Sequence, residues 1–216
     1  MRQVRLSLSR GCMLALAVLT TSVAALAGAA APAKAGLGVS CPDPTWQAFA
    51  PWSDFAQYAY VPNGGFENGS SGWSLTGGAK VVAGNSTLFT HGAGERYSLS
   101  LPPGSSATSP PMCISLLSSK MRFFTANLGS PSSRLKVQVV YGGGVGGLLS
   151  LVTKTLALSD RGSITAGPSW GPSPEIGMLS GMLPLLTRSV QFRFVAADAS
   201  GAWLVDDVYL DPLFHG

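Results

Sequence analysis

The sequence predicts an all-β protein, an antiparallel two-sheet β-sandwich that follows a cleaved signal peptide. Three observations predict it. Short runs of alternating apolar and polar residues recur between turn clusters. Those clusters draw on 27 glycines and 15 prolines in 216 residues. Beyond residue 35, no stretch of useful length repeats with the helical period.

Residues 1–35 read as a signal peptide. "MRQVRLSLSR" supplies Arg2, Arg5 and Arg10, an Ala- and Leu-rich run covers Met13 to Ala31, and Ala33-Lys34-Ala35 places small residues at the cleavage positions. Cleavage removes Arg2, Arg5, Arg10 and Lys34, which takes 14 basic residues to 10 against 10 acidic ones. The mature chain is then formally neutral, and the sequence pI of 9.2 gives no argument for a nucleic-acid partner. The apolar run leaves with the signal, so no membrane partner is expected afterwards. The expected location is secreted, extracellular or in the cell envelope. Cys41 and Cys113 remain, and two cysteines in an exported domain predict one disulfide.

The strand candidates follow in chain order. "RYSLSL" (96–101) sets Tyr97, Leu99 and Leu101 on one face against Arg96, Ser98 and Ser100. "RLKVQVVY" (134–141) sets Leu135, Val137, Val139 and Tyr141 against Lys136, Gln138 and Val140. "VQFRFVA" (190–196) sets Val190, Phe192, Phe194 and Ala196 against Gln191, Arg193 and Val195. Alternation of this kind puts one set in a core and the other in water. Segments 79–84, 121–127, 148–158 and 202–211 complete the set. "PGSSATSPP" (103–111) and "YGGGVGG" (141–147) read as exposed connectors, and "SPEIGMLSGML" (173–183) as at most a helical turn or two. Trp46, Phe49, Trp52 and Phe55 make 36–61 an aromatic-rich segment expected to pack across the sandwich domain, 62–216.

The final strand poses a problem. "GAWLVDDVYLDP" (201–212) carries Asp206, Asp207 and Asp211. Alternation puts Leu204, Asp206, Val208 and Leu210 on one face and Val205, Asp207, Tyr209 and Asp211 on the other. One acid of the adjacent pair is thereby turned toward the core, where an unpartnered carboxylate is costly. An oxygen-liganded cation offsets that cost. Exposure at the strand mouth, or pairing with Arg122 or Arg193, offsets it equally.

"PNGGFENGSSGW" (62–73) together with "WLVDDVYLD" (203–211) resembles the two ends of exported carbohydrate-binding modules with a galactose-binding-like jelly roll. The chain also resembles small exported bacterial proteins through "FAPWSD" (49–54), "GSSATSPPMC" (104–113) and "FRF" (192–194) leading to "DDVYLDP". The resemblance implies a jelly-roll β-sandwich and a carbohydrate partner. It also implies a structural calcium held by Glu67 and Asp207, with Asp206 as substitute. Trp170, in the loop "GPSWGPSP", is the candidate ligand-facing aromatic, since a pyranose ring stacks on a π-face.

Catalysis finds little support. "GPSWG" (167–171) fits a nucleophile elbow with Ser169, and Asp198 and His215 follow in order, but no strand-to-helix context surrounds it. The leading expectation is a secreted, non-catalytic carbohydrate-binding module. A structural or protein-binding envelope protein is the first alternative and a serine hydrolase the second.

Overall fold

The computed structural model describes residues 46–88, 91–113, 120–143, 158–164, 167–177 and 187–211. The segment expected to be a signal peptide, Cys41 with the disulfide expected of it, His215 and most of strand candidate 148–158 lie outside them.

Thirteen strands run in order among the described residues: β1 (Ala59–Tyr60), β2 (Ser74–Thr76), β3 (Lys80–Ala83), β4 (Tyr97–Leu101), β5 (Ser106–Thr108), β6 (Met112–Cys113), β7 (Lys120–Asn127), β8 (Leu135–Gly143), β9 (Leu158–Ile164), β10 (Gly171–Pro172), β11 (Ile176–Gly177), β12 (Thr187–Ala196) and β13 (Trp203–Asp211). One sheet has the order β10-β7-β13-β4-β3, with β1 also on β13 and β11 on β7. The other has the order β2-β5-β12-β8-β9, with β6 also on β12. All pairings are antiparallel. The chain passes repeatedly from one sheet to the other, as between β4 and β5, β7 and β8, and β12 and β13, as in a jelly-roll sandwich. Among the described residues no helix is long and apolar enough to cross a membrane.

The inner faces meet in one cluster. Leu99, Phe123 and Val205 from one sheet pack with Val137, Phe192 and Phe194 from the other. Phe123 meets Phe194 edge-on at 4.9 Å. Trp73 and Trp203 are buried in this core. The alternation in β8 and β12 holds: Leu135, Val137 and Val139, like Val190, Phe192, Phe194 and Ala196, are fully buried.

Four expectations fail for physical reasons. Segment 103–111 is no exposed connector, because its small residues form β5 between β2 and β12. There the buried Ser109 hydroxyl accepts the Phe192 N–H at 2.9 Å. The start of 173–183 is not helical: Ser173 Oγ accepts the Phe123 N–H at 3.1 Å, and β11 pairs with β7. Tyr97, at the first position of β4, is 42% exposed rather than core. Lastly, alternation does not run through β13. Asp206 faces Phe124 and Tyr209 faces Arg122, so Asp207 and Val208 together oppose Phe123. This bulge switches parity: Trp203 and Val205 are core before it, Val208 and Leu210 after it.

The outer face of the seven-stranded sheet carries a second cluster. Phe49 stacks on Phe124 at 5.1 Å and meets Tyr58 and Tyr209 edge-on. Burying Phe49 completely contributes roughly 2–3 kcal/mol. The 3₁₀ turn Ala50–Trp52 leads to Asp54, whose carboxylate accepts Tyr58 Oη at 2.6 Å and Arg122 Nη1 at 2.9 Å. Both Asp54 and Arg122 are buried. Residues 46–58 are thus held to the sheet by apolar packing and by an ion pair.

Candidate functional site

Three segments converge at the β13 bulge: β1 with the turn that follows it, the loop 84–96, and β13 itself. The bulge forms because Asp207 adopts a left-handed backbone, φ +48°, a conformation that Asp tolerates better than most side chains. The turn in the backbone re-aims its buried carboxylate. Asp207 Oδ1 accepts the Tyr60 hydroxyl at 3.1 Å. The same hydroxyl lies 3.4 Å from Glu95 Oε1. His91 Nδ1 lies 2.6 Å from Glu95 Oε1, and the imidazole stacks on the Tyr60 ring at 3.8 Å, almost parallel.

The glycines of "PNGGFENG" explain how the turn fits here. A Cβ at Gly64 would sit 2.9 Å from the carbonyl oxygens of Val208 and Val61. A Cβ at Gly65 would meet Tyr60 Oη, Glu95 Oε1 and Asp207 Oδ1. Both positions need a residue without a side chain because the turn lies directly on the bulge.

Electrostatics follow from burial. Asp206 points away from the core and is still only 1% exposed. Its Oδ2 accepts the Ser86 N–H at 2.7 Å and its Oδ1 the Asp207 N–H at 2.9 Å. Burial pushes its carboxyl up to about 8, with the Asp207 charge adding to the effect. Burial likewise raises the Tyr60 phenol, and the Asp207 and Glu95 carboxylates raise it further.

The residues expected to hold an ion fall in three places. Asp207 belongs to the His91–Glu95 cluster. Asp206 stands beside it with each oxygen on a backbone N–H. Glu67 is exposed, and its Oε1 accepts the N–H groups of Arg96 and Tyr97 at 2.8 and 2.9 Å, pinning the start of β4. Arg122 is committed to Asp54 and to the Ser173 carbonyl, and Arg193 donates to Ser106 Oγ at 3.3 Å. Ser169 is exposed on a bend that leads into β10, with no helix after it, so it lacks the setting of an elbow nucleophile. Asp198 accepts the Arg134 N–H at 2.6 Å.

Trp170 is half-buried against the second cluster. Exposed aromatics lie elsewhere: besides Tyr97 they are Trp46 at 40%, Trp52 at 37% and Phe55 at 68%. A run of ring contacts joins the two tryptophans, from Trp52 through Phe124, Phe49, Tyr209, Tyr60 and His91 to Trp46. The sequence signal for this platform was the aromatic density of 46–55. Which rings face water depended on the 3₁₀ turn. His91 and Glu95 had no such signal, since a lone His and Glu in a polar loop are ordinary.

With that geometry established, similarity to known proteins is one of fold. It is a jelly-roll β-sandwich. No protein-family model matches the chain, and no curated protein matches it in sequence. Solved structures similar to it include carbohydrate-binding modules. One is the CBM22-1 xylan-binding domain of Xyn10C from Paenibacillus barcinonensis, 14% identical over 74% of this chain and 97% of that one, TM-score 0.48. A family 16 carbohydrate-binding module is 13% identical over 70% and 99%, TM-score 0.47. TmCBM61 in complex with β-1,4-galactotriose is 23% identical over 70% and 96%, TM-score 0.42.

Proposed function

We propose that the chain is a secreted, non-catalytic β-sandwich module that binds carbohydrate on the outer face of its seven-stranded sheet. The observation that carries this reading is the exposure of Trp46, Trp52 and Phe55 on one ten-residue stretch. Apolar side chains that are free to turn inward normally do so. Here the buried Phe49 and the Asp54–Arg122 pair fix the backbone and leave the other rings outward. An exposed indole face offers the apolar surface that a pyranose ring stacks on. Gln47, Glu95 and His91 supply polar groups next to it. The carbohydrate is an extracellular or cell-envelope glycan.

The test is a glycan array probed with the protein and with Trp46→Ala, Trp52→Ala and Trp170→Ala variants. β-1,4-linked xylo- and galacto-oligosaccharides are the first probes. The reading expects binding that falls about tenfold or more in the Trp46 and Trp52 variants, in line with loss of a stacking contact. Binding that depends on Trp170 alone would move the site. Absence of any glycan ligand would leave the rings as a protein-docking surface.

A further inference from the structure

We propose that His91, Glu95 and Asp207 form a binding site for a first-row divalent transition metal, with zinc as the default occupant. Each offers one ligand atom, and the three atoms lie within 4.8 Å of one another, the one group of this kind among the described residues. An independent observation points to a missing partner. The Glu95 side chain is only 8% exposed, and its Oε2 is buried with no hydrogen bond. A buried carboxylate oxygen without a donor is destabilising, and a cation within reach removes that cost.

The surroundings are built for this. The bulge at Asp207 turns a carboxylate into the cluster from a fully buried position. Gly65 keeps the space over Tyr60, Glu95 and Asp207 free of a side chain. The His91 ring is held in plane by Tyr60 and bordered by Trp46 at 5.3 Å. The Tyr60 hydroxyl orients the Asp207 carboxylate through its bond to Oδ1. Such outer-shell support is what ligating side chains require. The His91 side chain is 32% exposed, which gives an ion a path inward.

The donor set selects the metal. Calcium and magnesium take oxygen ligands. An imidazole nitrogen with two carboxylates, and no thiolate, suits zinc, cobalt, nickel or iron(II). The His91–Glu95 hydrogen bond of 2.6 Å must open by under about 1 Å to admit a metal at the usual ligand distance of about 2.1 Å. Three protein ligands leave a coordination position for water.

The calcium expected on Glu67, Asp206 and Asp207 is the rival occupant, and one experiment separates the two. The chelator-treated protein is titrated with Co²⁺ as a spectroscopic probe, then with Zn²⁺ in competition, and separately with Ca²⁺. The proposal expects one Co²⁺ per chain with visible absorption bands, displaced by Zn²⁺. His91→Ala and Glu95→Gln each weaken binding about tenfold or more, and a Glu175→Gln control, at an exposed carboxylate paired with Lys120, leaves it unchanged. The His91 side chain is only partly buried, and circular dichroism checks that His91→Ala keeps the fold. The proposal is overturned by no Co²⁺ or Zn²⁺ binding, by binding that His91→Ala leaves intact, or by Ca²⁺ binding more tightly than Zn²⁺.

Discussion

Replacing Asp54 by Asn tests whether residues 46–58 are anchored electrostatically. The carboxylate is buried, and it accepts Tyr58 Oη at 2.6 Å and Arg122 Nη1 at 2.9 Å. Burial pushes its pKa up, but the hydrogen bonds from Tyr58 and Arg122 outweigh it and hold the group down to about 2, against an ordinary 3.8. At about 1.4 kcal/mol for each unit, the charge stabilises the fold by about 2.5 kcal/mol. Because the folded value is depressed, that stability is complete above about pH 4 and is lost as pH falls through about 2. In the variant, the buried Arg122 keeps its bonds to the Ser173 carbonyl but lacks its counter-charge, a situation that costs about 3–5 kcal/mol where no other partner remains. The expected loss is therefore about 3 kcal/mol at pH 7. Urea denaturation of both proteins between pH 2 and pH 7 measures it. The wild type should lose about 2 kcal/mol more than Asp54→Asn between pH 5 and pH 2. Equal acid sensitivity, or a cost under about 1 kcal/mol at pH 7, the size of an ordinary surface pair, would refute the anchoring.

Ser109→Ala leaves the Phe192 N–H without its partner in the middle of β12 and should cost about 1–3 kcal/mol by denaturant titration. Gly64→Ala forces a methyl group to within 2.9 Å of two backbone carbonyls. The strand cannot step aside, so a loss of about 2 kcal/mol or more is expected in thermal melts. Gly69→Ala, where the backbone has positive φ but open space surrounds it, should cost only about 1 kcal/mol.

Alternation made the sheets legible. β8 and β12 are long enough for period two to show, and their apolar sets are the ones buried. β1, β10 and β11 are two residues each, too short for any period. β5 was hidden because Ser106 and Ala107 look like loop residues, while their backbone pairs with β2 on one side and β12 on the other. At the site, the adjacent acids of β13 were what the sequence singled out. Their arrangement depended on one positive φ, and no pattern of residue types announces where a strand bulges. The Glu67 carboxylate went to backbone N–H groups, an acceptor role that sequence cannot distinguish from ligation.

The most direct measurement of the carbohydrate reading is a titration of the protein with its glycan followed through the indole N–H signals of its five tryptophans. The account predicts that the Trp46 and Trp52 signals move while those of Trp73 and Trp203 stay in place. Saturable binding that leaves Trp46 and Trp52 unmoved would contradict it.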